Sequence, residues 1–128
     1  MADRKRRVTH QLAATVSERD TAASFGVDFP PAASTPFVLG LAEVACHEAV
    51  RPTLSPGDIT VGVRAVIDHL APSRVGAKLL ARSELVRRRG RKLYFDVEIE
   101  DGGAVVARVK HQRAIVDAQR MRQRLAGQ

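Results

Sequence analysis

Four stretches in the second half of the chain carry apolar residues at alternating positions, all of them odd-numbered. A period of two is typical of β-strands that turn one face to a core. The apolar positions are Ile59, Val61, Val63, Ala65 and Ile67, then Val75, Ala77, Leu79, Ala81 and Leu85, then Leu93, Phe95, Val97 and Ile99, and finally Val105, Ala107, Val109 and Ile115. Turn-forming residues separate these stretches. The pattern predicts a four-stranded antiparallel meander with one apolar face.

A long helix is predicted before the meander. Pro36 suits the first position of a helix that runs to about Val50, with Ser34 or Thr35 as its N-cap. Residues 37–46 are apolar on nearly every side, so this helix is expected to be enclosed by other elements.

Residues 8–16 alternate loosely and indicate one further strand ahead of the helix. Strand, helix and meander together predict an α+β fold in which the apolar face of the sheet wraps the helix. At 128 residues the chain is expected to form a single domain over residues 1–128, with residues 1–6 and 119–128 as peripheral or flexible tails.

The chain has one cysteine, Cys46, and no apolar run of about 18 residues. An internal disulfide is therefore excluded, and the lone thiol suits a reducing compartment. A basic start with no apolar stretch behind it does not resemble a signal peptide. We expect a cytoplasmic protein without a membrane segment.

The 21 Lys and Arg residues outnumber the 14 Asp and Glu residues, which gives a net charge of +7. Such a field attracts polyanions. The composition does not favour nucleic acid as a partner, because the chain has only five aromatic residues for base stacking and no Trp. A nucleotide-bearing cofactor, an acidic carrier protein, or simply a solvated surface explains the charge as well.

Glu43 is the only charged or polar side chain among residues 37–46. Ionising a carboxylate in apolar surroundings costs free energy unless partners are supplied, so its pKa should be open to tuning, as a general base or nucleophile requires. The alternative is a glutamate at the helix edge that reaches solvent.

His69 and Thr35 are the other candidates for chemistry. His69 has the same parity as Ile67, so its imidazole should point to the helix side, where it could meet Glu43 as an acid/base pair; a turn histidine is the alternative. Thr35 is either an N-cap or part of an oxyanion site at the helix start. Thr35 and Glu43 are eight residues apart, about 12 Å of helix rise, so joint action would require two chains.

Three blocks in this order resemble the hotdog-fold acyl-CoA thioesterases related to fluoroacetyl-CoA thioesterase. They are STPFVLGLAEVAC with Thr35 and Glu43, VRAVIDHLAPSRVG with His69, and KHQRAIV with His111 and Arg113. In that family a Thr, a Glu eight residues later and a His twenty-six residues after the Glu form the catalytic group, and this chain reproduces both intervals. The resemblance runs from about residue 8 to residue 115.

The resemblance implies a hotdog fold, a five-stranded antiparallel sheet around one long central helix, and hydrolysis of an acyl-CoA or related thioester. Glu43 would activate water or attack the carbonyl, His69 would assist proton transfer, and Thr35 with helix-start N–H groups would stabilise the oxyanion. Phe29, Pro36, Phe37 and Arg113 would contact substrate. No metal and no cofactor besides the CoA of the substrate are expected, and the assembly would be a homodimer, with tetramers left open.

Two features depart from the family. Its fluoroacetyl-specific member closes the pocket with two phenylalanines before the helix; Phe29 matches one, but the second match, near Phe25, is less clear, so fluoroacetate specificity is not inferred. The turn around Gly90 is also unusually basic. Arg88, Arg89 and Arg91 could bind CoA phosphates or an acidic carrier, or could form a solvated turn. A non-catalytic acyl-CoA-binding hotdog module and, less favoured, a nucleic-acid-binding domain are the alternative functions.

Overall fold

The computed structural model describes residues 7–127, so the expectation that residues 1–6 form a tail concerns residues outside this range. The strands are β1 (Thr9–Thr15), β2 (Asp58–His69), β3 (Lys78–Arg89), β4 (Lys92–Asp101) and β5 (Ala104–Asp117). The helices are α1 (Thr35–Val50) and α2 (Ala118–Leu125), with short 3-10 turns at Glu18–Asp20, Ala22–Phe25 and Arg51–Thr53. The residues predicted as a C-terminal tail thus include a short, exposed helix.

All five strands pair antiparallel in one sheet, in the order β1-β3-β4-β5-β2. The α+β prediction is confirmed, with a five-stranded sheet around a central helix. The predicted four-stranded meander is wrong for β2, which crosses to the far edge and pairs with β5 instead of β3. Alternation identifies which face of a strand is buried, but it carries no information about the neighbouring strand.

The core lies between α1 and the inner face of the sheet. The four odd-numbered apolar positions of β4 are all buried, as the alternation predicts. Other buried core residues are Val38, Leu41, Ala42, Ala45, Cys46, Ala49 and Val50 from α1, and Leu79, Ala81, Ala107 and Val109 from the sheet. Within residues 7–127, no helix combines the length and apolar character needed to cross a bilayer.

The alternation fails in β2, where Val63 is 56% exposed and Ala65 is also exposed. A register shift between Gly62 and Arg64 marks a β-bulge, which inserts a residue and changes the face on which the following side chains lie. Since β2 is also an edge strand, its outer residues have no neighbouring strand in this chain. Val75 is likewise exposed, because it precedes β3.

One side of α1 is uncovered, contrary to the expectation of an enclosed helix. Pro36 and Val44 are exposed, and Glu43 between them is half-exposed, whereas the opposite side is buried in the core. Their spacing places them along one stripe of the helix. This stripe lies beside β2, since Gly62 sits against Glu43. The chain therefore presents a partly apolar seam formed by α1 and an edge strand.

Ser34 is the N-cap of α1, and its Oγ accepts a hydrogen bond from the backbone N–H of Phe37 at 3.1 Å. Thr35 is the first helical residue and Pro36 the second, one position later than predicted. Capping is thus assigned to Ser34, which leaves the Thr35 hydroxyl available for another partner.

Ser34→Ala is expected to lower the free energy of unfolding by about 1 kcal/mol, because it removes the capping acceptor. Thr35→Ala should cost less, because the Thr35 side chain is exposed and caps no N–H. Urea denaturation of the two variants, followed by circular dichroism, checks this difference. A larger loss for Thr35→Ala would assign the cap to Thr35.

Candidate active site

Thr35 and His69 meet where the start of α1 faces the last residue of β2. Thr35 Oγ1 lies 2.9 Å from His69 Nδ1. His69 lies on the helix side of the strand, as its spacing from Ile67 predicts. Its partner, however, is Thr35 and not the expected Glu43.

The second ring nitrogen of His69, Nε2, is buried and has no hydrogen-bond partner among residues 7–127. A proton on Nε2 would be a buried orphan donor, which folded proteins rarely contain. This favours the tautomer with the proton on Nδ1, donating to Thr35 Oγ1. The hydroxyl proton of Thr35 is then free to be donated to a bound group.

An apolar pocket of about 670 Å³ opens beside this pair. Thr35, Pro36 and His69 form part of its wall, and Phe25 and Phe29 also line it while remaining more than half exposed. The other lining residues are Ala22, Pro30, Ala32, Ala33, Ser34, Leu70, Ala71 and Pro72. Such a pocket, with a few convergent polar groups, is typical of small-molecule sites.

Only some of the residues predicted to contact substrate line the pocket. Phe29 and Pro36 line the pocket, and Phe25 joins them as the second phenylalanine before the helix. Phe37 does not line the pocket, because its ring packs, partly buried, against the hydrophobic core. The sequence did not show which of these two neighbours faces the pocket. Adjacent residues of a helix point about 100° apart, so only one of them can do so.

The helix start offers fewer free N–H groups than predicted for an oxyanion site. Pro36 has none, the N–H of Phe37 donates to Ser34 Oγ, and that of Val38 donates to the Ser34 carbonyl. Of these first helical residues, only Thr35 has a backbone N–H without a partner in the part of the chain described. The donors for an oxyanion are therefore the N–H and O–H of Thr35.

Glu43 lies in a second polar cluster, against the guanidinium of Arg113. Arg113 Nη1 donates to Glu43 Oε2 at 2.8 Å, while Nε donates to Thr60 Oγ1 and Nη2 to the Thr60 carbonyl, both at 2.9 Å. Arg113 is only 6% exposed, whereas the Glu43 side chain is 44% exposed. Arg113 was predicted to contact substrate, but its donors are directed to Glu43 and β2 because a buried guanidinium must be paired.

Two histidines adjoin this ion pair, and both are held neutral. Burial lowers the pKa of His111, and the positive charge of the neighbouring Arg113 lowers it further. Its Nδ1 donates to the Arg64 carbonyl at 2.9 Å, so Nε2 can accept from Arg113 Nη1 at 3.1 Å. His47 Nδ1 lies 2.6 Å from Thr60 Oγ1, and its pKa is also lowered by burial, with Arg113 as the second cause. The net charge of the cluster therefore rests on Arg113 and Glu43 alone.

Cys46, one helical turn from Glu43, is buried and has no role as a nucleophile. Burial raises the pKa of its thiol to about 12, so the thiolate is scarcely populated at neutral pH. Within residues 7–127, no group of three or more His, Cys, Asp or Glu side chains is arranged to hold a metal ion.

Gly62 allows the carboxylate of Glu43 to lie directly against β2. A Cβ atom at this position would collide with Glu43 Oε2 and would contact His111 Cε1 at 3.4 Å. Any larger residue would therefore displace the carboxylate from its place. Sequence analysis missed Gly62, Thr60 and His47; the one available signal was a glycine inside a predicted strand, which often marks a bulge or a close approach.

The two clusters are separate within one chain. Thr35 and His69 meet at the helix start, whereas Glu43 lies two helical turns away, opposite Gly62. The expected contact between His69 and Glu43 is not made within one chain, because His69 lies seven positions along β2 from Gly62, about 23 Å of strand.

The arginine-rich turn lies at the other end of the sheet. Lys92 pairs with Ala114 of β5, whereas His69 pairs with Ala107. Arg91 is tied down by Asp58, with 3.2 Å between Nη2 and Oδ1, and by the Ile115 carbonyl. Arg88 and Arg89 are exposed, and Arg88 Nε donates to the Gly90 carbonyl. Their contribution to CoA binding stays a prediction.

The fold is similar to several solved thioesterase structures. Fluoroacetyl-CoA thioesterase superposes with a TM-score of 0.89 at 24% identity, over 97% of this chain and 96% of that one. A hot-dog-like protein from Thermanaerovibrio acidaminovorans gives 0.84 at 21% identity, over 94% and 90%. A thioesterase superfamily member from Thermus thermophilus gives 0.83 at 17% identity over 100% of both chains. The hotdog fold is thereby confirmed.

Sequence comparison narrows the relationship. The fluoroacetyl-CoA thioesterase of Streptantibioticus cattleyicolor is 33% identical over 89 residues, which cover 70% of this chain and 64% of that protein's length. The sequence profile of the fluoroacetyl-CoA-specific thioesterases matches residues 16–119, from the end of β1 to the start of α2. With these residues and the hotdog fold in place, the chain belongs to the fluoroacetyl-CoA-specific thioesterase family.

Proposed function

We propose that this protein hydrolyses an acyl-CoA or related thioester to a free acid and a thiol. The observation that carries the proposal is the Thr35–His69 pair in the wall of an apolar pocket, since it places a hydrogen-bond donor where an acyl carbonyl would lie. The acyl chain would occupy the space beneath Phe25 and Phe29, with its carbonyl oxygen against the Thr35 N–H and O–H.

The chemical step requires a carboxylate, for which Glu43 is the candidate. As a general base it would take a proton from water while the water oxygen adds to the carbonyl carbon, or it would attack that carbon directly and form an anhydride that water then cleaves. Collapse of the tetrahedral adduct breaks the C–S bond. Since a thiol has a pKa of about 8.5, the thiolate leaves readily, and His69 or solvent can supply its proton.

Glu43 cannot reach the pocket of its own chain through a regular helix, so we propose a homodimer that joins each pocket to the partner's Glu43. The seam between α1 and β2 suits such an interface, because Val44, Val63 and Val66 are each about half exposed there. A two-fold axis perpendicular to α1 would place the two helices antiparallel, with each Thr35 beside the middle of the partner helix. Such dimers could pair into tetramers. The protein would act in the cytoplasm, a reducing compartment that suits the free thiol of Cys46.

Glu43→Gln should reduce turnover by about 10²-fold or more, because the amide can neither accept the proton nor attack the carbonyl. Gln is preferred to Ala, because its amide oxygen can still accept from Arg113 Nη1, whereas Ala would leave that donor without its acceptor. Hydrolysis of a panel of acyl-CoA thioesters, followed by thiol release, provides the measurement. Near-wild-type turnover would remove Glu43 from the mechanism, and no turnover by the wild-type protein would favour a binding module.

Gly62→Ala should lower kcat by about 10-fold or more while the fold persists, because the added methyl group displaces the carboxylate of Glu43. The same acyl-CoA assay and a thermal unfolding curve separate the two effects. Full activity in a folded Gly62→Ala protein would show that the position of Glu43 against β2 is irrelevant to catalysis.

Mixing inactive Thr35→Ala and Glu43→Gln proteins should restore activity if the site spans two chains. Half of the dimers would be mixed after random exchange, each with one intact site, so about a quarter of wild-type activity is expected. The matched control is a mixture of Thr35→Ala and His69→Ala proteins, which should stay inactive because both residues come from the same chain. No recovery in the first mixture, despite verified subunit exchange, would contradict the shared site.

A further inference from the structure

Positive charge is concentrated at the end of the molecule opposite the pocket. Nine cationic side chains, here called the basic end, lie on the β3–β4 turn, on α2 and just after α1. They are Arg51, Arg87, Arg88, Arg89, Arg91, Lys92, Arg120, Arg122 and Arg124. Only three acidic residues accompany them, Glu48, Asp58 and Asp117. The remainder of residues 7–127 holds nine cations and ten anions, so the basic end carries all of the excess positive charge.

Several contacts hold this surface in a fixed arrangement. Arg91 is tied to Asp58 and Ile115, and the guanidinium of Arg87 stacks over the Tyr94 ring, 4.3 Å from its centroid. Asp117 caps α2 by accepting from the N–H of Arg120. The exposed arginines that remain therefore project from a rigid turn and a capped helix, which lowers the entropic cost of binding.

The extent of the basic end favours a macromolecule over a nucleotide. It spans the sheet from β3 to β2, three strand spacings or about 14 Å, and continues along α2 for about 12 Å. A single nucleotide carries its phosphates close together and would engage only a few of these arginines. An acidic protein surface spreads carboxylates over a matching area.

Nucleic acid fits the basic end less well. Binding of single strands normally uses aromatic rings as stacking platforms. Tyr94 is the aromatic residue nearest the turn, and Arg87 already covers its ring. Carboxylates on a protein surface need no stacking platform, and arginine binds them in bidentate fashion, so an acidic protein is the better match.

The position of the basic end relates it to the active site of a partner subunit. Within one chain it lies about 23 Å from His69, the length of seven residue steps along β5 from Ala107 to Ala114. In a dimer with antiparallel β2 edges, however, the Asp58 end of one strand lies beside the His69 end of the other. Each basic end would then flank the partner's pocket.

We propose that the basic end docks an acidic acyl carrier protein, whose thioester is delivered on its pantetheine arm into the neighbouring pocket. This rests on the proposed thioesterase function and identifies the substrate as a carrier-bound acyl group. The association is electrostatic, so it should weaken with salt and act mainly on the encounter of the two proteins.

The test compares one acyl group on three thiols: an acidic acyl carrier protein, CoA, and N-acetylcysteamine, which carries no phosphate. Arg88, Arg89, Arg122 and Arg124 are replaced together by Gln. We expect KM for the carrier thioester to rise about 10-fold or more at low salt, with kcat unchanged and KM for the other two thioesters altered less than about 2-fold.

The matched control replaces Lys78, Arg82, Arg108 and Lys110 by Gln. These exposed residues lie away from the basic end, and their surface ion pairs contribute little stability. Both variants lose four positive charges, so a rise in KM specific to the first shows that position, and not net charge, matters. An equal rise in both variants would overturn the proposal.

Two further outcomes would also overturn it. An equal rise in KM for CoA would assign the arginines to CoA phosphates, and displacement of the carrier by a single-stranded oligonucleotide at lower concentration would assign them to nucleic acid. Fluorescence anisotropy with a labelled carrier whose arm ends in a non-hydrolysable thioether measures docking without turnover. Docking without hydrolysis of any thioester would reject the proposed function alone, whereas hydrolysis without docking would reject this inference alone.

Discussion

The buried guanidinium of Arg113 is the constraint on which the middle of this structure depends. A charge taken out of water must be paired, and Arg113 finds its partners on three elements: its own strand β5, Thr60 of β2 and Glu43 of α1. The pairing holds the helix against the sheet edge and leaves Glu43 half-exposed. It also explains the absence of a side chain at position 62, since the carboxylate occupies that space.

Polar groups are distributed unevenly along α1. The helix start carries a hydrogen-bonded pair, Thr35 and His69, beside an apolar pocket, whereas the helix middle carries an ion pair next to an uncovered seam. Neither half holds a complete set of groups for thioester hydrolysis. The proposed homodimer would complete both halves, because antiparallel helices would bring each helix start beside the partner's helix middle and would cover the exposed valines.

Much of the fold followed from local sequence patterns. The alternation of β4 matched its buried face at every apolar position, and the apolar run from Phe37 identified the central helix. The intervals between Thr35, Glu43 and His69 indicated the family. By contrast, the position of β2 at the far edge, the bulge after Gly62 and the exposed stripe of α1 were not predicted, because pairing partners and bulges depend on contacts distant in sequence.

The sequence by itself identified the candidate residues for chemistry and most of the elements that hold them, because periodicity and capping residues act over a few neighbours. It could not decide which polar groups meet. Only the tertiary structure assigned the cap to Ser34, paired Thr35 with His69, and showed that Arg113 is the counterion of Glu43. Such pairings are settled by the need to satisfy buried donors and charges in three dimensions, which no spacing along the chain encodes.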